Sequence, residues 1–406
     1  MPTPEILFFD SLSEDISDDL ILRAIEEVRL NCPNDPEVAA YLAMKLAESG
    51  DVISPSGDLV ADVASTGGPT SLSTVITPLF LRAAGSVVPK LGVPGRPAGG
   101  IDCLAQIPYY KTTLSTAEVY QVLDTCGYAH FLVGSHLAPL DRRMFRLRQK
   151  TGDQAVPGLV TASLLAKKLA VGIKHIGLDI RVSYFGNFGS DWLSATENAR
   201  LFLKAAKLVG IEASPVLTDG QYPYQPYLGR SETLVALDDL FDGNASSWLE
   251  NHCTMCRTLV LACINDEYRT SVIDASREAL RFHFNQNLIA QGSDPERFKV
   301  LVQSTRQNHQ LEITAEYAGF SHYSIKEIRD VMVRWQKQYV SDIDLFPDPV
   351  GLIFLNRPGS WVEKGEPLAT LRAPKTKAEE VLVELRPWIS KPAVSPRAPG
   401  LEGIYG

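Results

Sequence analysis

The sequence predicts an α/β protein with a mainly parallel sheet, preceded by a helical N-terminal region and followed by a C-terminal α+β subdomain. Three observations carry that expectation. Apolar residues recur at helical spacing through the first 57 residues. Short apolar runs then alternate with helix-length runs to about residue 300. Beyond that point, short strand-like runs surround Pro-Gly and Lys-Gly turns. A chain of 406 residues is also too long for one core, so two or three domains are expected.

Over residues 18–30 the helical stripe is Leu20, Ile21, Ala24, Ile25 and Val28. Over 35–49 it is Val38, Tyr41, Leu42, Met44 and Leu46, with Gly50 placed as a C-cap. A strand at 59–63 then opens into Ser65-Thr66-Gly67-Gly68, a nearly all-apolar helix covers 75–84, and a second strand covers 86–90. This β-turn-α-β order starts a parallel sheet. The alternation continues with a helix at 115–126, a strand at 129–133, a strand at 175–182, a helix at 195–208 and a strand at 213–217. Helices are expected through 234–263 and 272–289, a strand over 299–314, a helix over 325–335 and short strands over 350–371. The tail from Lys391, rich in proline, reads as extended.

Composition narrows the function. With 45% hydrophobic and 21% charged residues the chain is an ordinary globular protein, and its net charge of -9 argues against a nucleic-acid surface. The N-terminal segment M-P-T-P-E-I-L-F-F-D lacks the basic and apolar regions of a signal peptide, and no run approaches 18 apolar residues, so no membrane span is expected. Six scattered cysteines fit a reduced, cytoplasmic setting.

The stretch 62–100 has the grammar of an anion cradle. Gly67 and Gly68 permit a tight turn whose N–H groups converge on an oxyanion, and Ser71, Ser73 and Thr74 sit where the next helix begins. The same residues also serve as a purely structural turn and cap. His252, Cys253, Cys256 and Cys263 resemble a metal site only superficially. They lie in an apolar helical run where small thiols fill an interface, and no metal is expected.

Together these residues resemble thymidine phosphorylase and the pyrimidine nucleoside phosphorylases, which share a fold with anthranilate phosphoribosyltransferase. The resemblance begins at A-M-K-L-A-E-S-G-D (43–51), includes the S-T-G-G turn and Ile107-Pro108, and is densest in L-A-P-L-D-R-R and T-A-S-L-L-A-K-K within 137–168. It continues through L-T-D (217–219) and V-E-K-G-E-P-L-A near the C-terminus. It implies a helical domain of residues 1–57 and 140–170, carrying the base and the dimer contact. An α/β phosphate-side domain of 58–139 and 171–300 would face it, followed by an α+β subdomain over 301–390 and a tail at 391–406. The last strands resemble a biotinyl/lipoyl-type hammerhead, but without a lysine at its tip they read as architecture.

On the base side the resemblance places Arg148, Ser163 and Lys167 against the carbonyl oxygens and N3 of a pyrimidine, with Phe145 and Phe188 as aromatic walls. Negative charge develops on the base as the glycosidic bond breaks, so Arg148 and Lys167 stabilise that state more than neutral substrate. Two charge-assisted hydrogen bonds of about 1.5–3 kcal/mol each supply roughly two to four powers of ten in rate. On the phosphate side the resemblance implies Ser65, Thr66, Gly67, Gly68, Ser71, Ser73 and Thr74, with Lys90 and Arg96 returning positive charge from the second strand. Val63 stands where the family has a phosphate-pairing lysine, and Ala64 where it has a histidine near the leaving base. His136, just before L-A-P, either supplies that missing function, as a catalytic residue beside Arg148 and Lys167, or is structural. Glu232 lies one residue out of register with the glutamate of the family's monovalent-cation site.

The implied activity is pentosyl transfer: reversible cleavage of a pyrimidine (deoxy)nucleoside by phosphate to free base and pentose 1-phosphate. The implied assembly is a homodimer, with no cofactor beyond phosphate as co-substrate. Two alternatives stand beside it, a phosphoribosyltransferase-like enzyme using Mg²⁺ and a catalytically silent nucleoside-binding protein.

Overall fold

Helices begin where the sequence supplies caps. Ser17 accepts the Leu20 N–H to open α1 (Asp18–Asn31), and Asp35 accepts the Glu37 and Val38 N–H groups to open α2 (Pro36–Glu48), with Pro36 in its first turn. The computed structural model describes residue 10 and residues 16–66, 70–95, 97–132, 136–309, 311–342 and 344–394. After α2 come β1 (Ala61–Ser65), α3 (Ser73–Ala83), β2 (Val88–Gly92), α4 (Gly100–Leu104), α5 (Thr116–Cys126) and β3 (Tyr128–Leu132). The pair α6 (Pro139–Thr151) and α7 (Pro157–Leu169) precedes β4 (His175–Val182), α8 (Trp192–Leu208), β5 (Glu212–Asp219) and β6 (Tyr227–Leu228). Then follow α9 (Arg230–Asp242), α10 (Ser247–Cys263), α11 (Asp266–Ile273), α12 (Arg277–Ala290) and α13 (Pro295–Gln307). The chain closes with β7 (Leu311–Thr314), β8 (Gly319–Phe320), α14 (Ile325–Tyr339), β9 (Gly351–Phe354), β10 (Trp361–Val362), β11 (Pro367–Arg372) and α15 (Ala378–Leu385).

The expected parallel sheet is present. β1, β4 and β5 pair in parallel, as do β2 and β3. A bridge between Val60 and Val87, with the Val87 N–H donating to Leu59 O at 2.8 Å, joins the two sets in the spatial order β3-β2-β1-β4-β5. Alternation along β1 divides the core. Ala61 and Val63 pack with Leu79, Phe80 and Leu259 of α3 and α10, whereas Val60 and Ala64 join the core of α2, α7 and α8. A third core, with Leu352, Leu371, Ile328 and Trp335, sits under the C-terminal strands.

Three local expectations are corrected. The stretch 299–314 is not one strand: α13 runs to Gln307, because Asp294 caps it and Phe298, Val302 and Thr305 share one buried face at helical spacing. The helical run 234–263 breaks at Gly243, whose φ of 76° closes α9 in the left-handed region. The start of the tail is tied down, since Ala393 and Phe320 exchange backbone hydrogen bonds of 2.7 and 2.9 Å; residues 395–406 lie outside the described residues.

The C-terminal strands are fastened to α9 by buried charge. Glu232 accepts from Arg372 Nε at 2.6 Å and Nη2 at 2.9 Å and lies 2.9 Å from His309 Nε2, while Arg372 Nη2 also reaches Asp348 at 2.6 Å. Gly351 must be glycine here, because a Cβ would overlap the Glu232 carboxylate. Burial alone would push the Glu232 carboxyl up, but Arg372 and His309 outweigh it and hold it at about 2. A folded-state value below the ordinary 4.5 means stability present above pH 4.5 and lost as pH falls towards 2. Glu232→Gln should therefore lower stability at pH 7 by roughly 3 kcal/mol in urea titrations. The gap to the parent protein should close as the pH falls; an equal gap at pH 7 and pH 3 would refute the account.

Candidate functional site

The first half of the candidate site is the α6–α7 pair, each helix opened by a proline in its first turn. Ser163 and Lys167 are one turn apart on α7, as their spacing requires. Lys167 Nζ donates to Ser163 O and Ser163 Oγ, both at 2.7 Å, and pairs with Asp141 of α6 at 2.5 Å. Arg148, also on α6, is buried, and it donates to three backbone carbonyls: Asp153 O at 3.1 Å, Gln154 O at 2.9 Å and Leu159 O at 3.1 Å. Those bonds hold the α6–α7 connection and leave two of its five N–H directions without a partner among the described residues.

Electrostatically the cluster is one unit. Burial lowers the Arg148 guanidinium to about 10 against the pull of Asp141 and Asp153. Burial likewise lowers Lys167, with Asp141 opposing it and the charges of Arg148 and Lys168 reinforcing it. Lys167 thus touches Ser163 and Asp141, and Arg148 acts on it through its charge. Phe145 is half-buried on α6. Phe188, expected as an aromatic wall, is 1% exposed and packs in the core shared by α7, α8 and β4. His136 donates nothing to this cluster. Its carbonyl accepts the Asp51 N–H at 2.6 Å, and its buried Nε2 has no hydrogen-bond partner among the described residues.

The second half lies at the C-terminal ends of β1, β4 and β5, where α/β sheets place their ligands. Thr66 is locked to β4, its N–H donating to Asp179 O and its Oγ1 accepting from the Arg181 N–H, both at 3.0 Å. Asp179 and Arg181 point from β4 towards the N-terminus of α3. Asp179 accepts from Ser73 Oγ (3.0 Å), Arg181 Nε (2.9 Å) and Thr218 Oγ1 (3.1 Å), and Arg181 Nη2 reaches Ser73 Oγ at 2.9 Å. Two N–H groups of that helix end already have acceptors. Ser73 N–H donates to Ser71 Oγ at 3.1 Å, and Leu72 N–H to His252 Nε2 at 2.8 Å. Burial and the Arg181 charge lower His252 to about 3, so it is neutral and its proton sits on Nδ1. Ser65 and Thr74 are buried beside these groups. Gly67, Gly68 and Arg96 lie outside the described residues.

Lys90 takes a different place from the one expected. Its ammonium reaches Asp62 at 2.5 Å and Val63 O at 2.8 Å, and Lys168 of α7 binds the other oxygen of the same carboxylate. Asp62 is fully buried, and burial opposes its ionisation. Lys168 and Lys90 nevertheless hold its carboxyl below the usual range. The cation is therefore sequestered by a carboxylate one pleat before the turn. Of these residues Asp62, Asp141, Lys168, Asp179, Arg181 and His252 carry no role in the sequence reading. A signal existed for the strand pair: Asp179 and Arg181 are two charges on one face of an otherwise apolar strand. No group of three His, Cys, Asp or Glu side chains among the described residues is arranged to hold a metal ion.

No family model matches the chain. It is 28% identical over 379 residues to thymidine phosphorylase from Rhizobium meliloti (strain 1021), covering 86% of this chain and 82% of that protein. It is 24% identical over 379 residues to pyrimidine-nucleoside phosphorylase from Geobacillus stearothermophilus, covering 90% and 87%. Among solved structures, anthranilate phosphoribosyltransferase from Thermus thermophilus overlays with a TM-score of 0.50 at 14% identity, covering 74% of this chain and 93% of that one, which shows a shared fold.

The charge geometry around Asp62 is directly testable. Asp62→Asn leaves the Lys90 and Lys168 ammonium groups buried against each other without a counter-ion. It should cost about 3–5 kcal/mol in urea unfolding, and adding Lys168→Met should return part of that loss. A single variant as stable as the parent would show that the three groups do not act as a unit.

Proposed function

We propose, from the similarity of this chain to the thymidine and pyrimidine-nucleoside phosphorylases along most of its length, that it is a pentosyltransferase acting on a pyrimidine nucleoside. The observation that carries the reading is the charge balance of the α6–α7 cluster. Arg148 is a buried cation and Lys167 a partly buried one, its side chain 13% exposed, and Asp141 is the carboxylate paired with Lys167. The other partners of both cations are neutral carbonyls and a hydroxyl. A buried site with one excess positive charge suits a ligand that becomes an anion, as a pyrimidine does when its glycosidic bond breaks. In this reading Lys167 and Ser163 meet the base at its carbonyl and N3 edge, and Arg148 stabilises the charge that develops there.

The acceptor in this reading is phosphate, held at the Thr66 turn and the α3 N-terminus by Ser71, Ser73 and Thr74, with Arg181 supplying the cation that Val63 does not. No cofactor takes part. One observation favours a second reading. The α3 N-terminus is capped from within by Ser71 and His252, and Asp179 already balances Arg181, as in a protein that keeps a base and has no use for an acceptor.

The test is incubation of the full chain with uridine or thymidine and phosphate, following free base and pentose 1-phosphate. Base release that depends on phosphate is expected, and Lys167→Met should lower kcat/KM by about 10²–10³. No base release, together with uracil binding in calorimetry, would overturn the transfer reaction in favour of binding alone. A Lys167→Met variant with unchanged turnover would overturn the base-site assignment.

A further inference from the structure

Lys167 has three close partners. It donates to Ser163 O and Ser163 Oγ and forms an ion pair with Asp141 Oδ2. Asp141, by contrast, is under-used. Its side chain is 2% exposed, neither of its oxygens has a hydrogen-bond partner among the described residues, and its ion pair is with Lys167. Such a pair is a poor device for stability, since two apolar side chains of the same volume would hold α6 to α7 at least as well. The first turn of α6 favours a carboxylate through its helix dipole, yet that gain is too small to explain a buried charge with one partner.

We infer that Asp141 is the positioning residue of the base site: it holds the Lys167 ammonium charged and aimed, and an incoming base carbonyl takes the place of the Ser163 hydroxyl rather than of Asp141. The inference rests on the base-site reading proposed above. The three bonds of Lys167 differ in what their loss would leave behind. Losing the Ser163 hydroxyl contact frees a neutral group that can itself turn to the base. Losing the Asp141 contact would leave a bare carboxylate buried between two helices, which is costly. The exchangeable partner is therefore the hydroxyl.

The charges acting on Lys167 set the direction of the effect. Burial, Arg148 of α6 and Lys168 of its own helix all disfavour the ammonium form, and Asp141 favours it. The other helices packed on α7 meet it through apolar faces: Ala39, Leu42, Ala43 and Leu46 of α2, Ile21, Ile25 and Val28 of α1, and Ala199 and Phe202 of α8. In the connection from α6, the Asp153 carboxylate turns outward to Arg29 at 3.4 Å. Removing the Asp141 charge thus leaves the neutral Ser163 acceptors alone to favour the ammonium form, against burial and two neighbouring cations.

The experiment reads that proton directly. Full-length protein carrying isotope-labelled lysine is titrated by NMR, with the Lys167 signal assigned by its absence in Lys167→Arg. The parent protein should keep Lys167 protonated at neutral pH, and in Asp141→Asn the lysine should titrate lower than in the parent, with Asp141→Glu restoring most of the difference. In parallel, calorimetry with uracil should show affinity nearly flat from pH 6 to pH 9 for the parent. In Asp141→Asn it should fall about tenfold or more across the same range. A Lys167 titration unchanged in Asp141→Asn would overturn the inference. So would a parent Lys167 found uncharged at neutral pH, a measurement that needs no variant at Asp141 to fold. Neither readout depends on turnover, so absence of base release would strike the proposed reaction and leave this inference standing.

Discussion

The buried Asp62 carboxylate, bridging Lys90 of β2 and Lys168 of α7, is the interaction on which the rest of the arrangement depends. It lies in the middle of β1 and faces the layer of α2, α7 and α8. One group therefore fixes three things: the alignment of β2 beside β1, the distance of α7 from the sheet, and the rotation of α7 about its axis. The last matters most for the site. Successive side chains on a helix diverge by about 100°, so if Lys168 is anchored to the sheet, Lys167 must turn towards α6. The neighbouring lysines of K-K thus do different work, and the placement of the one depends on the anchoring of the other.

The same logic of internal partners governs the two halves of the site, with opposite results. Around α6 and α7 the cations outnumber the carboxylate, leaving a buried excess of positive charge. At the end of β4, Arg181 is balanced by Asp179, and both converge on Ser73 at the start of α3. In the proposed reading, the difference in charge separates a place suited to a developing anion from a place that offers chiefly hydroxyls, backbone N–H groups and one already paired guanidinium. Val63 and Ala64 are consistent with this division. Both are buried side chains of β1, with Val63 on the α3 side, so the strand contributes shape there and no charge.

How much of this was legible in the sequence depended on distance along the chain. The sheet and its covering helices follow from apolar periodicity, which is local, and the grouping of Ser163 with Lys167 follows from one turn of helix. Arg148 joins them because α6 and α7 are joined by a short connection. Lys90 was misplaced because its partner, Asp62, is on a neighbouring strand and nothing local in V-P-K-L-G shows which way the side chain turns. Phe188 was misplaced for a related reason: a glycine-rich aromatic loop reads as exposed until the core of α7 and α8 is known to receive it. The stretch 299–314 misled because three buried residues at helical spacing are interrupted by polar ones that hide the period.

Each cation of the candidate site is held by internal partners, and that arrangement would shape the proposed chemistry. Arg148 rests on three carbonyls, Lys167 on a serine and an aspartate, and Arg181 on Asp179 and Ser73. Under the proposed reading, a site built this way would bind by exchange. The ligand would displace a weak, neutral internal acceptor, while the stronger bonds keep the cation where it was. The reorganisation that free side chains would undergo at the moment of reaction has already been completed during folding, which is the condition under which fixed charges accelerate a reaction most. The cost appears as stability lost to buried, incompletely partnered groups such as Asp141, and it falls where a pair of packed helices can bear it.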